Sequence, residues 1–202
     1  MGAPSRHRSN ILNAAVTLFR RKGYAATGLN DILQQSHAPK GSLYHYFPQG
    51  KEQLGEEAAQ LAGAVVSQTL RTLGEEHGSA AEVMRAYGRL MAGWLEASAF
   101  EDGCPLATTL LETTPQSARM AAAGQQAFNK WTAEIRHLLE RQGADAETAR
   151  RLAQLAIATI EGALIQARVE SSSRPILEST EEIAFLMEAR LAKASITNQS
   201  PR

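Results

Sequence analysis

Apolar residues recur along this chain at every third or fourth position and almost never in strict alternation, the signature of amphipathic helices rather than strands. Ile11, Leu12, Ala15, Leu18 and Phe19 share one face of a first helix, which Ser5 is expected to start and Gly23 to end. Thr27 has the side chain of an N-cap for a short helix through Leu33. Pro39 stands where a first-turn proline loses no hydrogen bond, and Pro48 with Gly50 breaks the chain after Phe47. The pattern therefore predicts a three-helix unit over residues 5–50.

From Lys51 the periods lengthen. Leu54, Ala58, Leu61, Val65 and Thr69 line one helix, which the stretch from Gly74 to Ser79 is expected to break. Val83, Tyr87, Leu90, Met91, Trp94 and Leu95 line the next. Pro105 opens a short helix through Glu112, and Pro115 opens another with Met120, Phe128, Trp131, Ile135 and Leu138 inward, ending at Gly143. A helix from Asp145 or Ala146 to about Glu170 follows, then a loop over 171–175. Thr180 is expected to cap a last helix carrying Ile183, Leu186, Met187 and Leu191 on one side. The expectation is an all-α chain of about nine helices, with a larger body over 51–194 and a disordered tail over 195–202.

Charge sharpens this division. Residues 1–51 hold seven arginines and lysines against Asp31 alone, a net charge of +6, while the remainder carries −6 and the whole chain is neutral. A basic module on an acidic body points to a polyanion at one end. Cys104 is the single cysteine, so no intrachain disulfide is expected, which fits a reducing cytoplasm. The longest apolar stretch, 152–167, contains Gln154, Glu161 and Gln166 and reads as too short to span a bilayer, so no membrane partner is expected. The five histidines lack ligand spacing with carboxylates or the cysteine, and neither a phosphate-binding glycine loop nor a nucleophile elbow is present. No metal, cofactor or catalytic set is expected.

The chemistry concentrates in Lys40-Gly41-Ser42-Leu43-Tyr44-His45-Tyr46-Phe47, which follows Leu29-Asn30-Asp31-Ile32-Leu33 across a tight turn. Two short helices so joined make a helix-turn-helix candidate. Small and basic residues at the second helix's start let backbone amides approach DNA, and a phenol and an imidazole one turn on can donate to phosphate oxygens. Leu43 and Phe47, four apart, should face inward. The candidate DNA-binding residues are Thr27, Gly28, Lys40, Gly41, Ser42, Tyr44, His45 and Lys51, the last at the flanking phosphate. The plain alternatives are a core role for the aromatic rings and a solvated surface for His45.

Over residues 8–55 the chain resembles the TetR family of transcriptional repressors. The resemblance lies in Ala14-Ala15, Leu18-Phe19, Gly23-Tyr24-Ala25-Ala26-Thr27, Asp31-Ile32 and Lys40 through Phe47. Ala38-Pro39-Lys40 and Gly103-Cys104-Pro105-Leu106 are similar to the LmrA-like branch of multidrug-type regulators. The family often has glycine where this chain has His37, at a turn position that needs a positive φ, which histidine tolerates at some cost. The resemblance implies an all-helical homodimer with an N-terminal helix-turn-helix DNA-binding domain and a larger C-terminal ligand-binding and dimerisation domain. It implies double-stranded operator DNA as partner, palindromic, and an effector that displaces the helix starting near Lys51 so that DNA is released.

Met91, Trp94, Cys104, Leu110, Met120, Phe128 and Trp131 either line a cavity for a small hydrophobic or aromatic effector or simply form core, and Thr108 or Glu112 would be the polar anchor. Cys104 lies beside acidic residues, which favours a small buried or pocket role over a redox one. Residues 152–164, LAQLAIATIEGAL, are apolar on nearly all sides, as a helix burying two faces must be. Either this is the central helix of a monomer or it pairs with its copy, through Ala153, Ile157, Ile160, Glu161 and Leu164 together with Ile183, Leu186, Met187 and Arg190. The reading is a ligand-responsive transcriptional regulator, a cytoplasmic repressor. The rivals are a constitutive DNA-binding protein without an effector and a small all-α enzyme using Cys104 or His137.

Overall fold

The computed structural model describes residues 3–199. Among them there is no strand, and nine helices follow in order: α1 Ala3–Lys22, α2 Leu29–Ser36, α3 Ser42–Tyr46, α4 Gly50–His77, α5 Ala80–Ala97, α6 Pro105–Thr113, α7 Ala118–Arg141, α8 Ala146–Glu170 and α9 Arg174–Gln199. The chain forms two compact units. One runs to Val65 and takes in Gly103–Ala127; the other holds Val66–Asp102 and the chain from Phe128 onward.

The first unit is built on α1. Ile11, Ala15, Phe19, Ile32, Leu43, Phe47 and Leu54 are fully or almost fully buried together, so the 3.6-residue stripe read from the sequence is the one that packs. This unit does not stop at residue 50. The first part of α4, all of α6 and the start of α7 belong to it, because α6 bonds directly to the end of α1. The Thr108 hydroxyl donates to Phe19 O at 3.1 Å, and the Gly103 N–H donates to Arg20 O at 3.2 Å.

In the second unit α9 packs on α5 and α8. Val83, Met84, Leu95, Trp131, Ile135, Leu139, Leu164, Ile176 and Met187 are each at most 4% exposed. Arg85 on α5 is bonded to Glu82, Glu181 and Glu188, which ties α5 to α9 by charge as well as by packing.

Several helix ends differ from the sequence reading. α1 already begins at Ala3, ahead of Ser5. The N-cap of α2 is Gly28, not Thr27, and Asp31 accepts from the Gly28 N–H at 3.2 Å. α4 runs through Gly74, whose missing side chain makes room for Leu138, and stops at Gly78, where φ is +69°. α7 begins at Ala118, three residues after Pro115. α9 begins at Arg174 with Pro175 in its first turn, so Thr180 is not a cap: it is buried in the helix and donates to Ile176 O at 2.7 Å. α9 continues to Gln199, past the Ser195 at which a tail was expected, since no glycine or proline intervenes; residues 200–202 lie outside the described residues.

The two faces of α8 are also reassigned. Ala153, Ile157, Ile160 and Leu164, expected at a partner, are buried in the chain's own core, as are Ile183 and Met187 on α9. Glu161 and Leu186 are half-buried and Arg190 is exposed. The open apolar stripe is one step round the helix: Leu155, Ala158, Gly162, Ile165 and Val169, with Phe185 on α9. Val169 is 81% exposed and Phe185 64%. At 25 residues α8 is long and apolar enough to cross a bilayer by length and composition alone, contrary to the shorter estimate, but nine of its residues are buried within the fold.

Candidate nucleic-acid interface

α2 ends on His37, which adopts φ 53° and ψ 27°, the left-handed conformation that the turn requires. Its N–H closes the helix on Gln34 O at 3.3 Å. Ala38 and Pro39 then carry the chain to α3, and both the Ser42 N–H and the Ser42 hydroxyl bond to Pro39 O. α3 is only five residues long, so propensity cannot hold it. Leu43 and Phe47, both 0% exposed, anchor it against α1 and α2.

Anchoring those two residues inward turns the others outward. Lys40, Gly41, Tyr44 and His45 are exposed, and Tyr44 is 62% exposed. Apart from its immediate chain neighbours, no heavy atom lies within 4 Å of where a Gly41 side chain would begin, so the backbone there is open to close approach. His45 stands edge-on to Tyr46, with ring centroids 4.8 Å apart. Arg8, for its part, is committed elsewhere: it pairs with Glu57 and lies over the Phe47 ring.

Two residues read as DNA contacts have other work. Thr27 is fully buried; its hydroxyl donates to Gly23 O at 2.7 Å and its N–H to Tyr24 O at 3.2 Å, so neither donor is free for phosphate. Gly28 remains exposed beside it. Lys51 Nζ donates to Ala25 O at 3.3 Å and sits 4.5 Å from the Tyr24 ring centroid. Burial pulls the Lys51 ammonium below the usual lysine range, and the Glu112 carboxylate opposes that shift.

The residues read as an effector site are divided between the units. Trp131 is buried edge-on to Phe128 at 5.2 Å, while Trp94 on α5 is 45% exposed, and Met91 is half-buried. In the first unit Cys104 is the N-cap of α6, its sulfur accepting from the Ala107 N–H at 3.4 Å. Met120 is fully buried, and Leu110 packs over Gly124. Neither proposed anchor is free: Thr108 bonds to backbone carbonyls, and Glu112 accepts the Ala25 N–H. Sequence reasoning placed Glu112 toward a ligand because an isolated acidic residue on an apolar helix carries no sign of a backbone partner 87 positions away. Two clefts within single units, of about 530 and 260 Å³, are lined by charged residues together with leucines and include none of this set. Among the described residues no cluster of three potential metal ligands occurs.

A short helix held inward by Leu43 and Phe47, with Lys40, Tyr44 and His45 facing out beyond a left-handed turn, defines a helix-turn-helix DNA-binding protein. The sequence profile described as bacterial regulatory proteins of the tetR family matches residues 11–58, and that of the transcriptional regulator LmrA/YxaF-like C-terminal domain matches residues 80–182. The chain is 32% identical to the HTH-type transcriptional regulator YxaF of Bacillus subtilis over 180 residues, 89% of this chain and 94% of that protein. It is 31% identical to LmrA of the same organism, over 89% of this chain and 96% of that one. A TetR transcriptional regulator from Chloroflexus aurantiacus superimposes with a TM-score of 0.78 at 26% identity, covering 93% of this chain and 97% of that one. The chain therefore belongs to the TetR family of transcriptional regulators, with an LmrA/YxaF-like C-terminal domain. These families are regulators, not enzymes, which removes the catalytic alternative.

Proposed function

We propose that this regulator is a cytoplasmic homodimeric repressor that occupies a palindromic operator and leaves it when a small apolar or aromatic effector binds. The observation that carries the reading is the outward strip Lys40, Gly41, Tyr44 and His45 on an inward-anchored α3, because it presents one cation, one open backbone and two ring donors to a single duplex face. One such strip reads only a half-site, and pairing two of them about a two-fold axis doubles the contact.

The open stripe of α8 supports pairing. Leu155, Ile165, Val169 and, on α9, Phe185 form exposed apolar surface of the kind that monomers rarely leave uncovered. Gly162 in the middle of the stripe has nothing within 4 Å of its missing side chain, which leaves room for a partner helix to come close. The effector half of the reading rests on the family and on the apolar ring pair Phe128–Trp131.

The test is to select duplexes from a random library with the purified protein, then titrate the bound duplex with apolar and aromatic compounds while following tryptophan fluorescence and DNA release together. Enriched inverted half-sites and a compound that both alters fluorescence and releases DNA are expected. Enrichment without any releasing compound would instead favour a constitutive DNA-binding protein, and unpaired half-sites would remove the dimeric operator.

A further inference from the structure

We propose that Glu112 is a positioning residue for DNA binding: from α6, its carboxylate holds the Gly23–Ala25 corner from which α2 and α3 depart. α1 ends at Lys22, and the carbonyls of its last turn take donors from beyond the helix; the Gly23 N–H donates to Phe19 O at 3.0 Å. α6 supplies partners for two of them, through the Thr108 hydroxyl on Phe19 O and the Gly103 N–H on Arg20 O. The chain then turns at Gly23, with φ +82°. Two residues on, the Ala25 N–H donates to Glu112 at 2.5 Å, while Ala25 O accepts from Lys51 of α4 at 3.3 Å.

Ala25 is thus held on both sides by charged groups of opposite sign, carried on different helices. Gly23 is part of the same arrangement. A side chain there would overlap a Glu112 carboxylate oxygen, so the carboxylate lies across the corner only because that residue is glycine. The corner is linked onward as well. Gly23 O accepts the Thr27 hydroxyl, and the next residue, Gly28, is the N-cap of α2. The direction in which α2 leaves, and with it the placement of Lys40, Tyr44 and His45 on α3, follows from a corner that Glu112 fixes from outside the helix-turn-helix. Phosphate and base contacts demand a fixed register and orientation, so a loosened corner weakens DNA binding without removing any DNA contact.

This inference rests on the α3 strip being the DNA-binding face, and the experiment separates the two. Glu112→Ala, Glu112→Gln, Thr108→Val and Lys40→Ala are compared with the wild-type full chain by fluorescence anisotropy. The probe is a labelled duplex enriched by the wild-type protein, followed over a range of salt concentrations without effector, with circular dichroism confirming the fold of each variant. Glu112→Ala is expected to weaken binding about five- to tenfold with the salt slope unchanged, since each lost phosphate contact would lower that slope by about 0.9 and none is lost. Glu112→Gln keeps an acceptor oxygen for the Ala25 N–H and should stay within about twofold of wild type. Thr108→Val, which removes a second tie while keeping the side chain's shape, should weaken binding about threefold.

Wild-type affinity for Glu112→Ala would overturn the proposal. So would a Glu112→Gln variant as weak as the alanine variant, because the charge and not the hydrogen bond would then matter. Lys40→Ala should reduce the salt slope. An unchanged slope there would remove α3 as the DNA-binding face, and the proposal with it.

Discussion

Gly88 on α5 lies directly against Thr180 on α9, so closely that a single methyl group at Gly88 would overlap the threonine hydroxyl. Thr180 cannot swing aside. It is β-branched, 2% exposed, and its hydroxyl is bonded to Ile176 O and Leu177 O. Gly88→Ala should therefore destabilise the fold by about 1–3 kcal/mol, as overpacking of a close helix pair does. Adding Thr180→Ala to that variant should recover part of the loss, because the two changes share one space. Denaturant melts of the single and double variants test this; strictly additive effects would contradict the contact.

On the DNA face, Lys40→Ala and Tyr44→Phe should both weaken binding, but in different ways. Loss of the lysine removes a counterion-releasing contact and lowers the salt slope by about 0.9. Loss of the phenol hydroxyl removes a neutral donor and leaves the slope alone. Anisotropy titrations at several salt concentrations distinguish the two, and equal affinities for both variants and wild type would displace these residues from the interface.

Assembly is expected to respond differently to substitutions on the two sides of α8. Ile165→Glu, on the open stripe, should yield a folded monomer; Ile157→Glu, in the protomer's own core, should unfold the chain. Sedimentation velocity with circular dichroism separates these outcomes. An Ile165→Glu variant that sediments as the wild type does would move the interface elsewhere.

Acid should weaken the tie between α5 and α9. The Arg85 guanidinium, bonded to Glu188 at 2.7 Å, holds that carboxyl below its ordinary value of 4.5. A carboxyl depressed on folding adds stability that is complete above its unfolded value and disappears as pH falls through its folded one. The Tm difference between wild type and Glu188→Gln should thus be constant near neutrality and shrink below about pH 4.5, and only modestly, because Glu188 is exposed and solvent screens the pair. A difference independent of pH would show that the charge on Glu188 contributes nothing.

The sequence reading succeeded where apolar spacing alone decides the outcome. Ile11, Ala15 and Phe19 pack as their period requires, and Leu43 with Phe47 turns Tyr44 outward. It lost precision where two answers satisfy the same local pattern. Thr27 and Gly28 are adjacent cap candidates, and the choice depended on Gly23 O lying within reach of the threonine hydroxyl. α8 is apolar around most of its circumference, so nothing in its own pattern separated Ile157, which is buried, from Leu155, which is exposed. Glu112 was not legible at all as a partner of Ala25, because that bond joins residues far apart in the chain and one end of it is backbone.

Cys104 gives α6 an uneven hold on its surroundings. The start of α8 is secured by the Asp145 carboxylate, which takes two amides at 3.0 and 3.1 Å, whereas α6 starts on a thiol, a weak acceptor, at 3.4 Å. Pro105 then contributes no amide of its own. The cap of α6 is thus weaker than that of α8, and its first turn is held from outside instead, by the Gly103 N–H on Arg20 O and the Thr108 hydroxyl on Phe19 O. Opening of that turn would release the end of α1 with it, a local event short of unfolding the whole chain.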